Sequence, residues 1–191
     1  MSLIKKKQRI KIPSNIKVFY HYKKKLLVFK GTGNQKSLKI NNLLTLKCYD
    51  REIEVIYDID KKLSNIEQKK IRMVKNTAVS LIKQLVIESV AILYQKVKLV
   101  GVGYRVFPVE NFENCLLLLR LGYSHPIYFR VPRKTKISIL KLTKLFLYGY
   151  SYQQLTFTAS RIRLNKTPEP YKGKGILYDN EKIVLKEGKK I

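Results

Sequence analysis

The stretch KIPSNIKVFYHYKKKLLVFKG, residues 11–31, decides how this chain is predicted to fold. Two runs of apolar and aromatic residues, 15–20 and 25–31, flank a lysine-rich turn. Runs of this length on either side of a short polar turn predict a β-hairpin. A proline precedes the first run and a glycine closes the second, so the hairpin has a defined beginning and end.

A second copy of this stretch occurs later in the chain, as RVPRKTKISILKLTKLFLYG, residues 130–149. The copies align, with one residue dropped, so that three pairs match: Pro13 with Pro132, Lys17 with Lys136, and Gly31 with Gly149. Because a repeated stretch marks a repeated structural unit, the alignment predicts two similar domains. The aligned stretch is short, so a chance match is the alternative.

The residues after the first hairpin predict a second strand pair and then a helix. LTLKCYD (44–50) and EIEVIYD (52–58) are predicted to pair, with the glutamates of the second strand on a face directed to water. Ser64 and Glu67 fit a capping box, which marks a helix N-terminus. Apolar residues then recur at three and four positions, and the predicted core-facing stripe is Met73, Val74, Thr77, Ala78, Leu81, Ile82, Leu85 and Val86.

The second half of the chain has the same organisation. Strands are predicted at 96–107, 115–124, 126–132, 136–140 and 144–149, followed by a helix from Tyr152 to Asn165 that is capped by Ser151. The predicted fold class is α+β, with two similar small domains, each a mostly antiparallel sheet with a helix packed on it. The predicted bounds are 1–87 for the first domain, 88–167 for the second, and 168–191 for an extended basic strap.

The charge of the chain predicts a polyanionic partner. The 191 residues include 40 Lys and Arg but only 13 Asp and Glu, for a net charge of +27. The acids are unevenly spread, since residues 1–30 and 114–168 contain none. Nucleic acid is the commonest polyanion that neutralises such a surface, and an anionic membrane is the alternative. No run of about 20 apolar residues predicts a membrane span, and no secretory signal is expected from MSLIKKKQRIKIP at residues 1–13.

Enzyme chemistry and metal binding are not predicted. Cys48 and Cys115 stand alone in the sequence and are expected to be buried, without a disulfide or a zinc site. GVG at 101–103 lacks the third glycine of a dinucleotide loop and is expected to lie within a strand. His125 has no Cys, Asp or Glu beside it and is expected to be structural. We therefore expect no catalytic residues and no cofactor.

The C-terminal stretch PEPYKGKGI, residues 168–176, predicts contact with RNA. Its prolines favour an extended backbone, and its glycines allow the chain to approach another surface closely. Lys172 and Lys174 supply positive charge, and Tyr171 supplies a ring for stacking. Such a segment suits the phosphates of a folded RNA. A flexible basic tail is the alternative.

Three motifs in order, GVGYR (101–105), LGYSHP (121–126) and PEPYKGKGI (168–176), resemble the large-subunit ribosomal protein six family of bacteria and organelles. The resemblance covers most of the chain and implies two similar α+β domains and no catalytic activity. It implies binding to large-subunit rRNA near the sarcin–ricin loop and the base of the factor-binding stalk, mostly through the second domain. The second helix departs from the family pattern, since Thr156 and Phe157 replace the usual Gly-Gln.

The partners implied by the resemblance are large-subunit rRNA and neighbouring ribosomal proteins at the stalk base, with translation factors contacted only indirectly. No membrane partner and no homo-oligomer are expected. The alternative is a general nucleic-acid-binding or peripheral membrane protein outside the ribosome. The predicted rRNA-binding residues are Arg161, Arg163, Lys166, Tyr171, Lys172, Gly173, Lys174, Gly175, Lys189 and Lys190.

The composition predicts where the protein works. The chain is rich in Lys, Ile, Leu, Asn and Tyr, which is typical of AT-rich coding sequences. Together with the departures from the family pattern, this bias predicts a protein of the mitochondrial ribosome, encoded in the organelle. A plastid and the cytoplasm of a bacterium are the alternatives.

Overall fold

The computed structural model describes residues 8–31, 34–57, 64–109 and 116–188. The chain divides into two compact units, residues 1–91 and 92–191. Within the described residues, each unit has antiparallel sheets, one α-helix and a hydrophobic core of its own. The α+β class is therefore confirmed. The division falls four residues later than the predicted bound at 87 because the first helix continues to Val90.

The described part of the first unit forms two three-stranded antiparallel sheets and one long helix. One sheet has the order β1-β6-β5 and the other the order β2-β3-β4. The predicted hairpins β2–β3 and β5–β6 are both confirmed. The elements are β1 (Gln8–Lys11), β2 (Lys17–His21), β3 (Leu26–Lys30), β4 (Gln35–Lys39), β5 (Leu44–Cys48), β6 (Glu52–Tyr57) and α1 (Asn65–Val90).

Helix α1 begins at the predicted capping box. The Ser64 N–H donates to Glu67 Oε2 at 2.9 Å, and the Glu67 N–H donates to Ser64 Oγ at 3.4 Å. The predicted apolar stripe was partly wrong, because Met73 is 62% exposed and Thr77 is also exposed. At 100° per residue these two positions lie opposite the buried face, which begins at Ile71 and continues through Ala78, Val79, Ile82 and Val86.

Two glutamates of the first unit are buried beside lysines. Glu54 on β6 is only 2% exposed, so the prediction that its face is directed to water was wrong. Helix α1 covers this strand and brings Lys75 near Glu54. Burial lowers the pKa of Lys75, and the charge of Glu54 partly offsets that effect. Glu88, near the end of α1, forms an ion pair with Lys36 of β4.

The second unit contains a four-stranded sheet with the order β11-β12-β7-β13 and a three-stranded sheet with the order β10-β9-β8, both antiparallel. Helix α2 packs against the four-stranded sheet and buries Leu155, Ala159 and Ile162, as predicted. Ser151 is the N-cap residue, but its hydroxyl makes no capping hydrogen bond. The elements are β7 (Leu93–Val100), β8 (Arg105–Pro108), β9 (Leu116–Arg120), β10 (Ile127–Arg130), β11 (Thr135–Lys141), β12 (Lys144–Gly149), α2 (Tyr152–Leu164) and β13 (Gly175–Tyr178).

The predicted strand 96–107 is two strands in different sheets, separated by a turn. Gly103 has φ +75°, a left-handed conformation that favours glycine. At Gly101 a Cβ would lie 2.8 Å from the buried ring of Tyr104. The two glycines therefore do not form a bulge within one strand but allow the chain to turn tightly over this ring.

The repeat found in the sequence has matching structure. In both copies the proline carbonyl accepts a hydrogen bond from the backbone N–H three residues later. Ile16 donates to Pro13 at 3.2 Å, and Thr135 donates to Pro132 at 2.9 Å. Both turns lead into hairpins, β2–β3 and β11–β12. Lys17 pairs with Lys30 in the first hairpin, and Lys136 pairs with Tyr148 at the corresponding position of the second. The same turn and the same register argue against a chance match.

The C-terminal segment contains a strand that the sequence analysis missed. Gly175–Tyr178 forms β13, which pairs with β7, and Ile176 is fully buried in the core. The prediction that residues 168–191 form a strap separate from the second domain was therefore wrong. Both prolines precede the strand, so they remove no hydrogen-bond donor from its ladder. The apolar pair Ile176 and Leu177 then completes the sheet.

Candidate nucleic-acid interface

The residues after α2 form a closed turn, which we call the basic loop (168–174). The Glu169 N–H donates to the Lys174 carbonyl, and the Gly173 N–H donates to the Glu169 carbonyl, both at 2.9 Å. Tyr171 is 54% exposed, and Lys172 is also exposed at the tip. The loop thus presents a ring and a cation to solvent from a hydrogen-bonded backbone.

Two glycines permit this loop to close. Gly173 has φ +66°, which a residue with a side chain rarely adopts. At Gly175 a Cβ would lie 2.5 Å from Pro168 Cα and 2.7 Å from Pro168 N. The predicted close approach at Gly175 is therefore an approach to the chain's own backbone. These glycines shape the loop, and their proximity to RNA stays a prediction.

The chain beyond β13 folds back over the basic loop. The Lys186 N–H donates to the Pro170 carbonyl at 2.9 Å. Leu185 approaches Gly173, since a Cβ at that glycine would lie 3.3 Å from Leu185 Cδ2. The basic loop is therefore held by its own backbone hydrogen bonds and by contacts with residues 185 and 186. Lys189 and Lys190 lie outside the described residues, and their role stays a prediction.

Arg163 holds this C-terminal segment to α2. Its Nε donates to Glu181 Oε2 at 3.1 Å, and its Nη2 donates to the other carboxylate oxygen. The Tyr178 N–H also donates to Glu181, at 3.2 Å. These bonds lower the pKa of Glu181 and raise the pKa of Arg163. Because a bidentate carboxylate already occupies the guanidinium, Arg163 fixes the C-terminal segment against α2. Its contact with rRNA stays a prediction.

Arg161 lies two residues earlier on α2 and borders a groove. Its guanidinium carbon is 5.8 Å from the Phe129 ring centroid and 5.9 Å from that of Phe157. The groove has a volume of about 580 Å³ and is also lined by Arg130, Arg133 and Asn165. Sequence analysis missed Arg130 and Arg133, because the cluster forms only when β10 and α2 come together. Their signal was weak: two arginines flank the Val-Pro that begins the repeat.

Lys166 extends this surface towards the basic loop. Its Nζ lies 4.1 Å from the Tyr123 ring centroid, a cation–π contact. The Tyr123 hydroxyl donates to the Asn165 carbonyl at 3.1 Å, which fixes the ring against the helix end. The stacking neighbour of Tyr123 is His125, with ring centroids 6.2 Å apart. The LGYSHP motif therefore supplies the ring that contacts Lys166, and Tyr123 positions the ring of His125 by stacking on it.

The described residues contain no cluster of three or more His, Cys, Asp or Glu side chains that could hold a metal ion. In that same part of the chain, no helix is long and apolar enough to cross a membrane.

Cys48 is exposed at the end of β5, so the expectation that it is buried was wrong. It shares a face with Leu44 and Leu46, but it is the last residue of β5 and lies at the exposed end of the strand, where burial no longer follows the alternation. Cys115 lies outside the described residues.

Fold and surface together define the class of this protein. It is a strongly basic α+β protein of two units, and its second unit brings arginines, lysines and aromatic rings together around the end of one helix. Cations interleaved with exposed rings are typical of surfaces that bind nucleic acid.

Comparison with known proteins identifies the family. The family described as Ribosomal protein L6 matches residues 100–179. The large ribosomal subunit protein uL6 of Mycoplasmoides gallisepticum is 37% identical over 181 residues, covering 94% of this chain and 92% of that protein. The protein of the same name from Mycoplasma genitalium is 37% identical, covering 86% and 84%. That of Staphylococcus aureus is 34% identical, covering 96% of both. This chain belongs to the ribosomal protein L6 family.

Proposed function

We propose that this protein is a structural component of the large ribosomal subunit and acts by binding rRNA. The observation that carries the proposal is similarity along 94% of the chain to a protein named for the large ribosomal subunit. The net charge of +27 supports it, because a chain with this charge needs a polyanion to neutralise it. The role is architectural, and the protein supplies no catalytic group.

The rRNA contact is assigned to the end of α2 and the basic loop of the second unit. Arg161, Lys166, Tyr171, Lys172 and Lys174 are proposed to meet phosphates or bases directly. Arg163, Gly173 and Gly175 are proposed to act by shaping the loop, since Arg163 is paired with Glu181 and the glycines permit the closed turn. Lys189 and Lys190 are proposed to extend the contact beyond the described residues.

The resemblance to the family further suggests the place of this contact, near the sarcin–ricin loop and the base of the factor-binding stalk. Neighbouring ribosomal proteins at the stalk base are the proposed protein partners, and translation factors are affected indirectly. The compartment is proposed to be the mitochondrion, from composition. The three relatives named above are bacterial, so a bacterial cytoplasm is the alternative that their sources favour.

Chemical footprinting of large-subunit rRNA tests the site. With the full chain bound, we expect protection of nucleotides in or beside the sarcin–ricin loop. The double variant Lys172→Ala with Lys174→Ala should lose part of that protection. The matched control, Lys69→Ala with Lys83→Ala, removes the same charge from exposed positions of α1 and should retain the footprint. Protection confined to other rRNA regions would contradict the proposed place.

A further inference from the structure

The face of the four-stranded sheet opposite α2 carries three neighbouring aromatic rings. Tyr94 of β7 and Phe146 of β12 stack with centroids 5.4 Å apart and planes at 24°. Phe146 and Tyr148, two residues apart on β12, have centroids 5.9 Å apart. Tyr94 is 64% exposed, although an aromatic ring is normally buried when it serves only the core. We call these three rings the aromatic platform.

Lysines surround the platform on the same face. Register pairs Lys136 with Tyr148 and Lys96 with Phe146, and residues directly opposite on neighbouring strands share a face. The Lys96 Nζ lies 6.0 Å from the Tyr94 ring centroid.

Lys144 pairs in register with Lys98, whose ammonium forms an ion pair with Asp179. Lys96 and Lys144 act together with Lys98 to lower the pKa of Asp179, so these charges are close together.

The fold does not require these rings. In the alignment of the two copies, Val28 of the first unit corresponds to Phe146 and Lys30 corresponds to Tyr148. Lys30 pairs with Gln35 as Tyr148 pairs with Tyr94, so Gln35 corresponds to Tyr94. The first unit therefore builds the same hairpin with Val, Lys and Gln where the second unit has three rings. Packing alone does not account for three adjacent rings here, of which Tyr94 is exposed and Phe146 and Tyr148 are partly buried.

We infer that the aromatic platform is a second RNA contact, and that it binds unpaired bases by stacking. The inference rests on the RNA partner proposed above and adds to the helix-end site a surface on the other side of the sheet. An antiparallel sheet that presents adjacent rings flanked by lysines suits single strands, because bases stack on the rings while the lysines meet the phosphates. Duplex RNA cannot use the rings, since its bases are already stacked.

A single tryptophan reports stacking directly, because the natural chain contains none. In the full-length Tyr94→Trp variant, we expect a ten-nucleotide oligouridylate to quench fluorescence over the concentration range in which it binds. A blunt-ended RNA duplex, which has no unpaired bases, should leave the emission largely unchanged. The matched control is Phe19→Trp, because Phe19 is exposed on the corresponding face of the first unit, and this variant should not be quenched.

Affinity measurements complete the test. Tyr94→Leu changes an exposed side chain, so the fold should be retained. We expect it to weaken oligouridylate binding at least about fivefold, since stacking contributes about 1–3 kcal/mol per base, while binding of the duplex stays constant. Equal losses for both RNAs, or absent quenching in Tyr94→Trp, would overturn the platform. If the wild type binds large subunits and the platform fails these tests, the proposed function stands and only this inference falls.

Discussion

At Gly175 the chain passes so close to itself that one methyl group does not fit. The contacts of an added Cβ are backbone atoms of Pro168, which cannot rotate away as a side-chain tip can. We expect Gly175→Ala to lower the free energy of unfolding of the second unit by about 1–3 kcal/mol, the usual effect of overpacking. Urea denaturation followed by circular dichroism measures it. Gly188→Ala is the control, because a Cβ there meets nothing. Equal stability of both variants would contradict the close approach.

The pair Arg163–Glu181 makes the C-terminal segment sensitive to acid. The folded state lowers the pKa of Glu181, chiefly through the hydrogen bonds from Arg163. Its stabilisation is therefore present above the ordinary glutamate pKa of about 4.3 and is lost as the pH falls through the lower folded value. Glu181→Gln should lower the urea midpoint at pH 7, and the gap to the wild type should close in acid. A gap that does not change with pH would show that the charge is unimportant.

The sequence predicted some side-chain contacts correctly and missed others. The capping box at Ser64 was correct because its signal is local, within four residues. The partner of Arg163 could not be predicted, since Glu181 lies beyond the basic loop and β13 and is brought back only by the fold. The groove around Arg161 was missed for the same reason, because its lining comes from β10, the residues after it, and α2.

Among the elements, β13 differs most from the sequence prediction, which expected an extended strap at the C-terminus. Ile176 is fully buried beside β7, so removing β13 exposes apolar core and leaves β7 as an unpaired edge of the sheet. We expect a chain ending at residue 174 to lack a stably folded second unit. A chain ending at residue 182 retains both β13 and Glu181 and should stay folded. Two-dimensional NMR spectra of the two truncations distinguish these outcomes. A dispersed spectrum for the shorter chain would mean that β13 is dispensable.

The elements that were predicted correctly have strong local periodicity, and those that were missed do not. The hairpins and the capped helix α1 follow from alternation, turn residues and a capping box. Strand β13 is only four residues long and follows a run of prolines, lysines and glycines that favours loops. Residues 96–107 divide into two strands at the turn around Gly103. The sequence alone could not distinguish this turn from a bulge, because the difference depends on which sheet each strand joins.

For the whole molecule, charge should dominate RNA affinity. The logarithm of the association constant with an rRNA fragment should fall linearly with the logarithm of salt concentration, by roughly 0.7 to 0.9 per phosphate neutralised. Lys172→Ala with Lys174→Ala should reduce the slope by about two phosphates' worth. Filter binding across a salt series measures both, with Lys69→Ala plus Lys83→Ala as the charge-matched control. An affinity that barely depends on salt would mean that apolar contacts dominate.

The central claim is that this member of the ribosomal protein L6 family works as a part of the large ribosomal subunit. Sedimentation of the tagged full chain in a sucrose gradient, from a lysate of the source cells with magnesium sufficient to keep subunits intact, tests it most directly. The account predicts that the protein migrates with the large subunit and is absent from the small-subunit fractions. A protein found at the top of the gradient, as a free chain above intact subunits, would contradict it.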